Sequence, residues 1–378
     1  MKLRVFHLIA ILIIGLASAG PICAPLFAQS DSGSDKSWTS TTDSTSETNS
    51  PIRTTDTHTQ SGNRTLDTHS VQQLSPNGGY EPYLDVETET VKVDAATTRT
   101  IERTYTRGAN GERVLSQVTE QEQKSLGGGE LRTVRNTSNP DPDGDLQLVR
   151  REVENLKPTS PNSQDIHTTV FLPSANGGLA ATTQIDEHQT KTGDKSMNYQ
   201  RTTAVSDGNG NWQTSETRQG TIQQDGKQRT SEERISRADS EGNMSVVSRT
   251  VNKETEGAAG EKSGTTEVYS TNVPGITPDG ALHLTQRTTT TTQIGPGGAS
   301  TTVQQVQQPN PGNPSSGMRV TVQTTDTATP SGGITRDTRT VRSLDGGGDL
   351  SVVSVDMGKS DKPVTIQIAP PSPPKPKQ

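Results

Sequence analysis

The stretch NPDPDGDLQ, residues 139–147, sets Asn139, Asp141, Asp143 and Asp145 at alternate positions, as oxygen donors stand in a calcium-binding loop. Gly144 follows Asp143 as such a loop needs, but the twelfth position counted from Asn139 is Arg150, where a bidentate Glu belongs. DGNGN (Asp207, Asn209, Asn211) and DGGGD (Asp345, Asp349) are thinner copies. Asp, Asn and Gly are also what hairpin turns select, because they tolerate positive φ. These four residues are the calcium candidate of the sequence, and turn chemistry is the reading that competes with it.

Other chemistry is sparse. His58, His69, His167, His188 and His283 follow His7, and none forms a close ligand pair such as H-x-H. They read as exposed polar residues. No G-x-S-x-G elbow, P-loop, H-E-x-x-H or dinucleotide fingerprint occurs. Carboxylates are spread evenly, so any cross-strand Asp–Glu pair is unspecific evidence for acid–base work. The expectation is a non-enzyme with no catalytic residue and no cofactor.

Composition explains why. The chain has 378 residues, but hydrophobic residues are 26% and aromatics 3%, which cannot fill a large globular core. The net charge of −7 is small for this length, so the chain is not strongly self-repelling. There is no basic stripe interleaved with aromatics, hence no nucleic-acid signal. Cys23 is the one cysteine.

Residues 1–28 have the layout of a secretory signal peptide: Lys2 and Arg4, an apolar run centred on Ile9 to Leu16, then small residues. Cleavage after Ala19 or after Ala28 fits. No later stretch approaches a membrane span. The expected location is therefore secreted: periplasmic, cell-surface or extracellular. Residues 29–76 read as a disordered Ser/Thr-rich linker, and 369–378 as a Pro-rich polyproline II tail.

Residues 77–368 carry a repeat. Gly78, Gly111, Gly144, Gly177 and Gly210 step by 33, and Gly242, Gly280, Gly317 and Gly348 continue with drift, giving about nine units. A large apolar residue follows each turn. These structural anchors are Tyr80, Leu146, Leu179, Trp212, Met244, Leu282, Met318 and Leu350. At Gly111 the apolar residue, Val114, comes one place late. A second turn sits midway in each unit, and the runs between are rich in Val, Thr and Arg. Branched Cβ atoms suit a pleated sheet, and Asp-Gly or Asn-Gly between such runs signals a hairpin. The turn text DGNGNW and DGGGDLSVV resembles the YD repeats of large bacterial secreted shells. It lacks their tyrosines and the arginine after the glycine, so it reads as shared hairpin chemistry.

The fold class expected is all-β: tandem antiparallel β-hairpins forming an extended meander sheet, with the anchors making a narrow apolar stripe. An outer-membrane barrel is excluded on this reading, because WQTSETRQG and KQRTSEERIS offer no apolar outer face. Open sheet edges then allow self-association. The expected function is an exported structural or interaction protein with a protein or carbohydrate partner at the cell surface. A secreted polysaccharide-acting enzyme and a largely disordered tether are the alternatives.

Overall fold

The computed structural model describes residues 36–46 and 51–367, apart from 109, 258–259, 273–278, 311–315, 332–333, 347 and 362–363. The signal segment, Cys23 and the Pro-rich tail lie outside the described residues.

The described residues form β-strands joined by turns, with a 3-10 turn at Pro296–Gly298. The first strands are β1 (Lys36–Ser46), β2 (Ile52–Ser61), β3 (Arg64–Leu74), β4 (Tyr80–Lys92), β5 (Thr97–Arg107), β6 (Arg113–Gly127) and β7 (Glu130–Pro140). Then come β8 (Leu146–Ser160), β9 (Ser163–Pro173), β10 (Leu179–Gly193), β11 (Ser196–Ser206), β12 (Trp212–Asp225), β13 (Gln228–Ala238) and β14 (Met244–Glu256). The last are β15 (Lys262–Ser270), β16 (His283–Ile294), β17 (Ser300–Pro309), β18 (Met318–Ser331), β19 (Ile334–Leu344), β20 (Leu350–Asp361) and β21 (Val364–Gln367). All belong to one antiparallel sheet in which successive strands pair from β1 to β20, the hairpin meander expected from the repeat, while β21 pairs with β1.

Two features depart from the sequence reading. Strands β1, β2 and β3 occupy residues 36–46, 52–61 and 64–74, where a disordered linker was expected. Thr and Ser, too polar to build a core, still extend readily once a paired neighbour supplies the ladder bonds. The second departure is at the edges. β1 pairs with β2 on one side, and on the other with β20 (Thr42↔Ser360) and β21 (Lys36↔Gln367). The meander therefore returns to its first strand, and the open edges expected for self-association are occupied there. Pairing satisfies the N–H and C=O groups an edge would leave exposed.

Register partners lie on one face of a sheet. Following them around the ring returns to the same face, through Lys359↔Asp43 and Asp43↔Arg53. One face carries Asp85, Glu87, Arg103, Glu120 and Arg151; the other carries Thr88, Gln121, Arg135, Glu152 and Arg201. Both are polar, and neither is the continuous apolar band a lipid-facing barrel wall presents. The buried apolar residues are few: Val118, Val170 and Met197. No described helix is long and apolar enough to cross a membrane.

A bulge recurs at a fixed place. Tyr83, Ser116, Val149, Thr182, Ser215, Val247, Thr285, Thr321 and Val353 each stand as the extra residue in a register shift. Five of them donate a hydroxyl to a carbonyl of the preceding strand: Ser116 to Thr104 (3.0 Å), Thr182 to Val170 (3.3 Å), Ser215 to Thr203 (3.2 Å), Thr285 to Val268 (3.0 Å) and Thr321 to Val306 (3.2 Å). Bulges bend and twist a strand, so one per hairpin at one level supplies the curvature that brings β20 round to β1.

Candidate interaction surfaces

Alternate turns lie at opposite ends of the strands. The end holding the 33-residue glycine rhythm is called the upper end here, and the other the lower. Seven upper turns share one construction, in which the N–H of the first residue bonds the carbonyl of the fifth. Examples are Ser75 to Gly79 (2.8 Å), Asp141 to Asp145 (2.9 Å) and Asp345 to Asp349 (2.9 Å). The fourth residue is a glycine with positive φ, 90° at Gly144 and 95° at Gly210, the left-handed position a three-residue hairpin loop requires.

Asp141 is the clamp of its turn. Its Oδ1 accepts the N–H groups of Asp143 (3.0 Å) and Asp145 (2.9 Å), and Oδ2 accepts the Gln147 amide (3.0 Å). The Gln147 bond, together with the backbone donors, holds the Asp141 carboxyl below the usual carboxylate range. Asp207 and Asp239 repeat the clamp, on Asn209 and Asn211, and on Glu241 and Asn243. Asn139 Oδ1 instead accepts the Gln117 amide across the strands (3.3 Å). The calcium candidate thus spends its Asp141 oxygens on its own turn, and among the described residues no group of three or more His, Cys, Asp or Glu is arranged to hold a metal ion.

The anchors fall at one level. Tyr80, Leu146, Leu179, Trp212, Met244, Met318 and Leu350 each open a strand at the upper end, and Leu282 stands just before β16. Their register partners, among them Leu74, Pro140, Pro173 and Ser206, put the seven on one face. The stripe is partial: Leu146 is 50% and Met244 39% exposed. In β6 the corresponding slot holds Arg113, whose guanidinium lies 3.5 Å from the Tyr105 ring centroid, while Val114 points to the other face, 42% exposed.

The best-packed patch lies elsewhere, on the opposite face between β10 and β13. Tyr199 on β11 lies over Gly220 on β12, where any Cβ would strike the ring, and its hydroxyl donates to Glu233 Oε2 on β13 (2.6 Å). Burial, then the bond to Glu233, pushes the Tyr199 phenol far up. Beside it, Arg201 donates to the buried Glu187 at 2.5 Å.

Four histidines that sequence reading left as isolated surface residues form two crossed quartets. On β2 and β3, His58 bonds Asp67 and His69 bonds Asp56, each at 2.6 Å. On β9 and β10, His167 bonds Asp186 and His188 bonds Asp165, again at 2.6 Å. The signal was present: D-x-H occurs on both strands of each pair, and antiparallel register sets each His opposite the other strand's Asp. His283 sits against Asp279 at 3.0 Å.

Charge divides by end and by residue type. Among the described residues the ion pairs are made by Arg and His, within a strand (Arg218–Glu216, 2.6 Å), between neighbours (Arg249–Glu232, 2.9 Å) or across an intervening strand (Arg113–Asp85, 2.8 Å), with Lys157–Glu130 (3.9 Å) the lysine exception. The described lysines instead gather at the lower end, where Lys36, Lys195, Lys262 and Lys359 join one lysine from each of six hairpins. The seven upper turns hold nine acidic residues and no Lys or Arg.

No protein-family model matches the chain. No curated protein matches it either. Among solved structures the chain is similar to the siderophore receptor PirA from Pseudomonas aeruginosa, with a TM-score of 0.48 and 8% identity over 88% of this chain and 80% of that one. It is also similar to OccK2 (OpdF) from Pseudomonas aeruginosa, with a TM-score of 0.44 and 9% identity over 88% and 98%. A mutant Rh. blastica porin gives 0.39 and 7% over 63% and 94%.

Proposed function

We propose that this chain is an exported, non-catalytic structural or interaction protein of the cell envelope or the space outside it. It presents repeated polar β-hairpins to a protein or carbohydrate partner. The observation that supports this reading best is the one ring of hairpins with two polar faces. Many of its carboxylates bond cross-strand Arg and His partners or clamp their own turns. Flat polar lattices of Thr, Gln and Arg suit repeated hydrogen bonding to an extended polar polymer.

The test is saturable binding of the purified chain to isolated envelope polysaccharide, with release of reducing ends followed in the same tube. Binding without product supports the proposal. Product release that disappears in an Asp141→Asn, Asp143→Asn, Asp145→Asn variant overturns it in favour of a polysaccharide-acting enzyme.

A further inference from the structure

The two ends of the strand ring differ in charge: lysines gather at the lower end, and the upper turns carry acids and no lysine. At the lower end Lys92, Lys124, Lys157, Lys191, Lys227 and Lys253 supply one ammonium per hairpin, and all but the half-buried Lys191 are exposed. At the upper end the turns of those same hairpins present Glu112, Asp143, Asp145, Asp207 and Glu241, with further acids at Asp345 and Asp349. The clamp on the Asp207 carboxylate uses backbone N–H groups and an Asn amide, so its charge is not cancelled by a cation.

The lower rim is not purely basic. Asp94, Asp194 and Asp225 lie there with Glu130, Glu254, Glu256 and Glu261; Glu130 faces Lys157 at 3.9 Å, and Asp94 is folded back onto the N–H groups of Ala96 and Thr97. Lys227 donates to the Gly257 carbonyl, which leaves its charge uncompensated.

We propose that copies of this chain stack end to end, the lysine rim of one on the acidic turns of the next. Three observations converge on a second copy as the occupant. The rims are complementary in sign. They lie at opposite ends of one ring, although the upper turns at 75–79 and 174–178 carry no acid and the lower turn at 295–299 carries no lysine. And the alternative route to self-association, strand addition, is shut at β1, which is already paired on both sides. Such a contact is heterologous, so it propagates instead of closing, and the product is a filament. Rim charges exposed to water are screened over about 10 Å at 0.1 M salt, so assembly belongs to low ionic strength.

The experiment is sedimentation velocity on the full chain across a concentration series at low and at high salt. The expected result is a population of larger species at low salt that grows with concentration and collapses to one slow species at high salt. A lower-rim variant, Lys124→Glu, Lys157→Glu, Lys191→Glu and Lys227→Glu, sediments as one slow species throughout. An upper-rim variant, Asp143→Lys, Asp145→Lys, Glu241→Lys and Asp349→Lys, does the same. Mixed in equal amounts, the two rebuild large species, because each now supplies the sign the other lost. Far-UV circular dichroism confirms that both variants keep the sheet. A single slow species of the parent chain at low salt overturns the proposal, and so does failure of the folded variants to co-assemble. Binding of the parent chain to phosphatidylglycerol vesicles, lost in the lower-rim variant while no self-assembly is seen, overturns it in favour of a lipid surface. None of these readouts depends on polysaccharide binding, so stacking and the proposed function fail separately.

Discussion

Two parts of the same sheet hold themselves together differently. Between β9 and β13 the sheet has its core: Val170, Met197 and Glu187 are buried, and Tyr199 covers Gly220. Between β15 and β17 the strands are rich in threonine and glutamine, most of all β16 and β17. Their described side chains are half-buried or exposed, and contacts such as Thr292–Thr302 (2.9 Å) run hydroxyl to hydroxyl. The ladder is the same in both. A single-layer sheet has no common interior, so packing is local, made where one aromatic meets a glycine gap. Elsewhere backbone bonds and pairs worth about 0.2–1 kcal/mol each must suffice.

Breaking the packed patch has the largest expected effect. Gly220→Val drives a branched Cβ into the Tyr199 ring and lowers stability by about 1–3 kcal/mol in urea titrations. Combining it with Tyr199→Ala removes the clash, so the double variant loses less than the two singles summed; strict additivity would refute the contact. Met197→Ala comes next, at about 2 kcal/mol, the low end for a buried Met because a thin sheet relaxes into the gap.

Acidity sharpens the comparison. Hydrogen bonds from Arg249, against a smaller burial effect, hold the Glu232 carboxyl below its usual range. Its contribution is present above the ordinary glutamate pKa, near 4.3, and is lost as pH falls through the lower folded value. Glu154 is the opposite case. Burial raises it, helped by Glu152 and Glu187 and opposed by Arg135. Its contribution is present below the ordinary value and is lost as pH rises through the raised one. Thermal melts should therefore show Glu154→Gln more stable than the parent at pH 7, with the gap closing toward pH 4. A gap that widens on acidification would reverse the assignment. The smallest effect is expected in the threonine run: Thr290→Ala on β16 shifts stability by no more than about 0.5 kcal/mol.

The hairpins were legible because glycine at positive φ leaves a residue-type mark, and the marks at Gly78 through Gly210 keep strict time. The bulges were not, although they keep nearly the same time. Tyr83, Ser116, Val149 and Thr182 share a position but not a residue type: Ser116 and Thr182 donate a hydroxyl there and Tyr83 and Val149 stand in the same place, since a bulge is a property of the backbone. The crossed His–Asp quartets needed register as well as composition: the tight turn Ser61↔Arg64 fixes His58 opposite Asp67, but only once the turn length is known. Strands in the Thr/Ser-rich stretch before residue 76 were hidden for a different reason. The stretch is mostly Ser and Thr, and pairing with β2 and the far end of the chain is what makes residues 36–46 a strand. No local signal encodes a partner so distant in sequence.

That last pairing governs how the protein can be made. Every other ladder forms between neighbours and can zip as the chain emerges, a low-contact-order process. The junction of Thr42 with Ser360 must wait for almost the entire polypeptide. Until then β1 is a bare strand on an otherwise finished sheet, and so is whichever strand was made most recently. A chain cut short by one hairpin is therefore not a slightly smaller version of this protein: it carries two permanent sticky edges, and its fate is to meet another like itself.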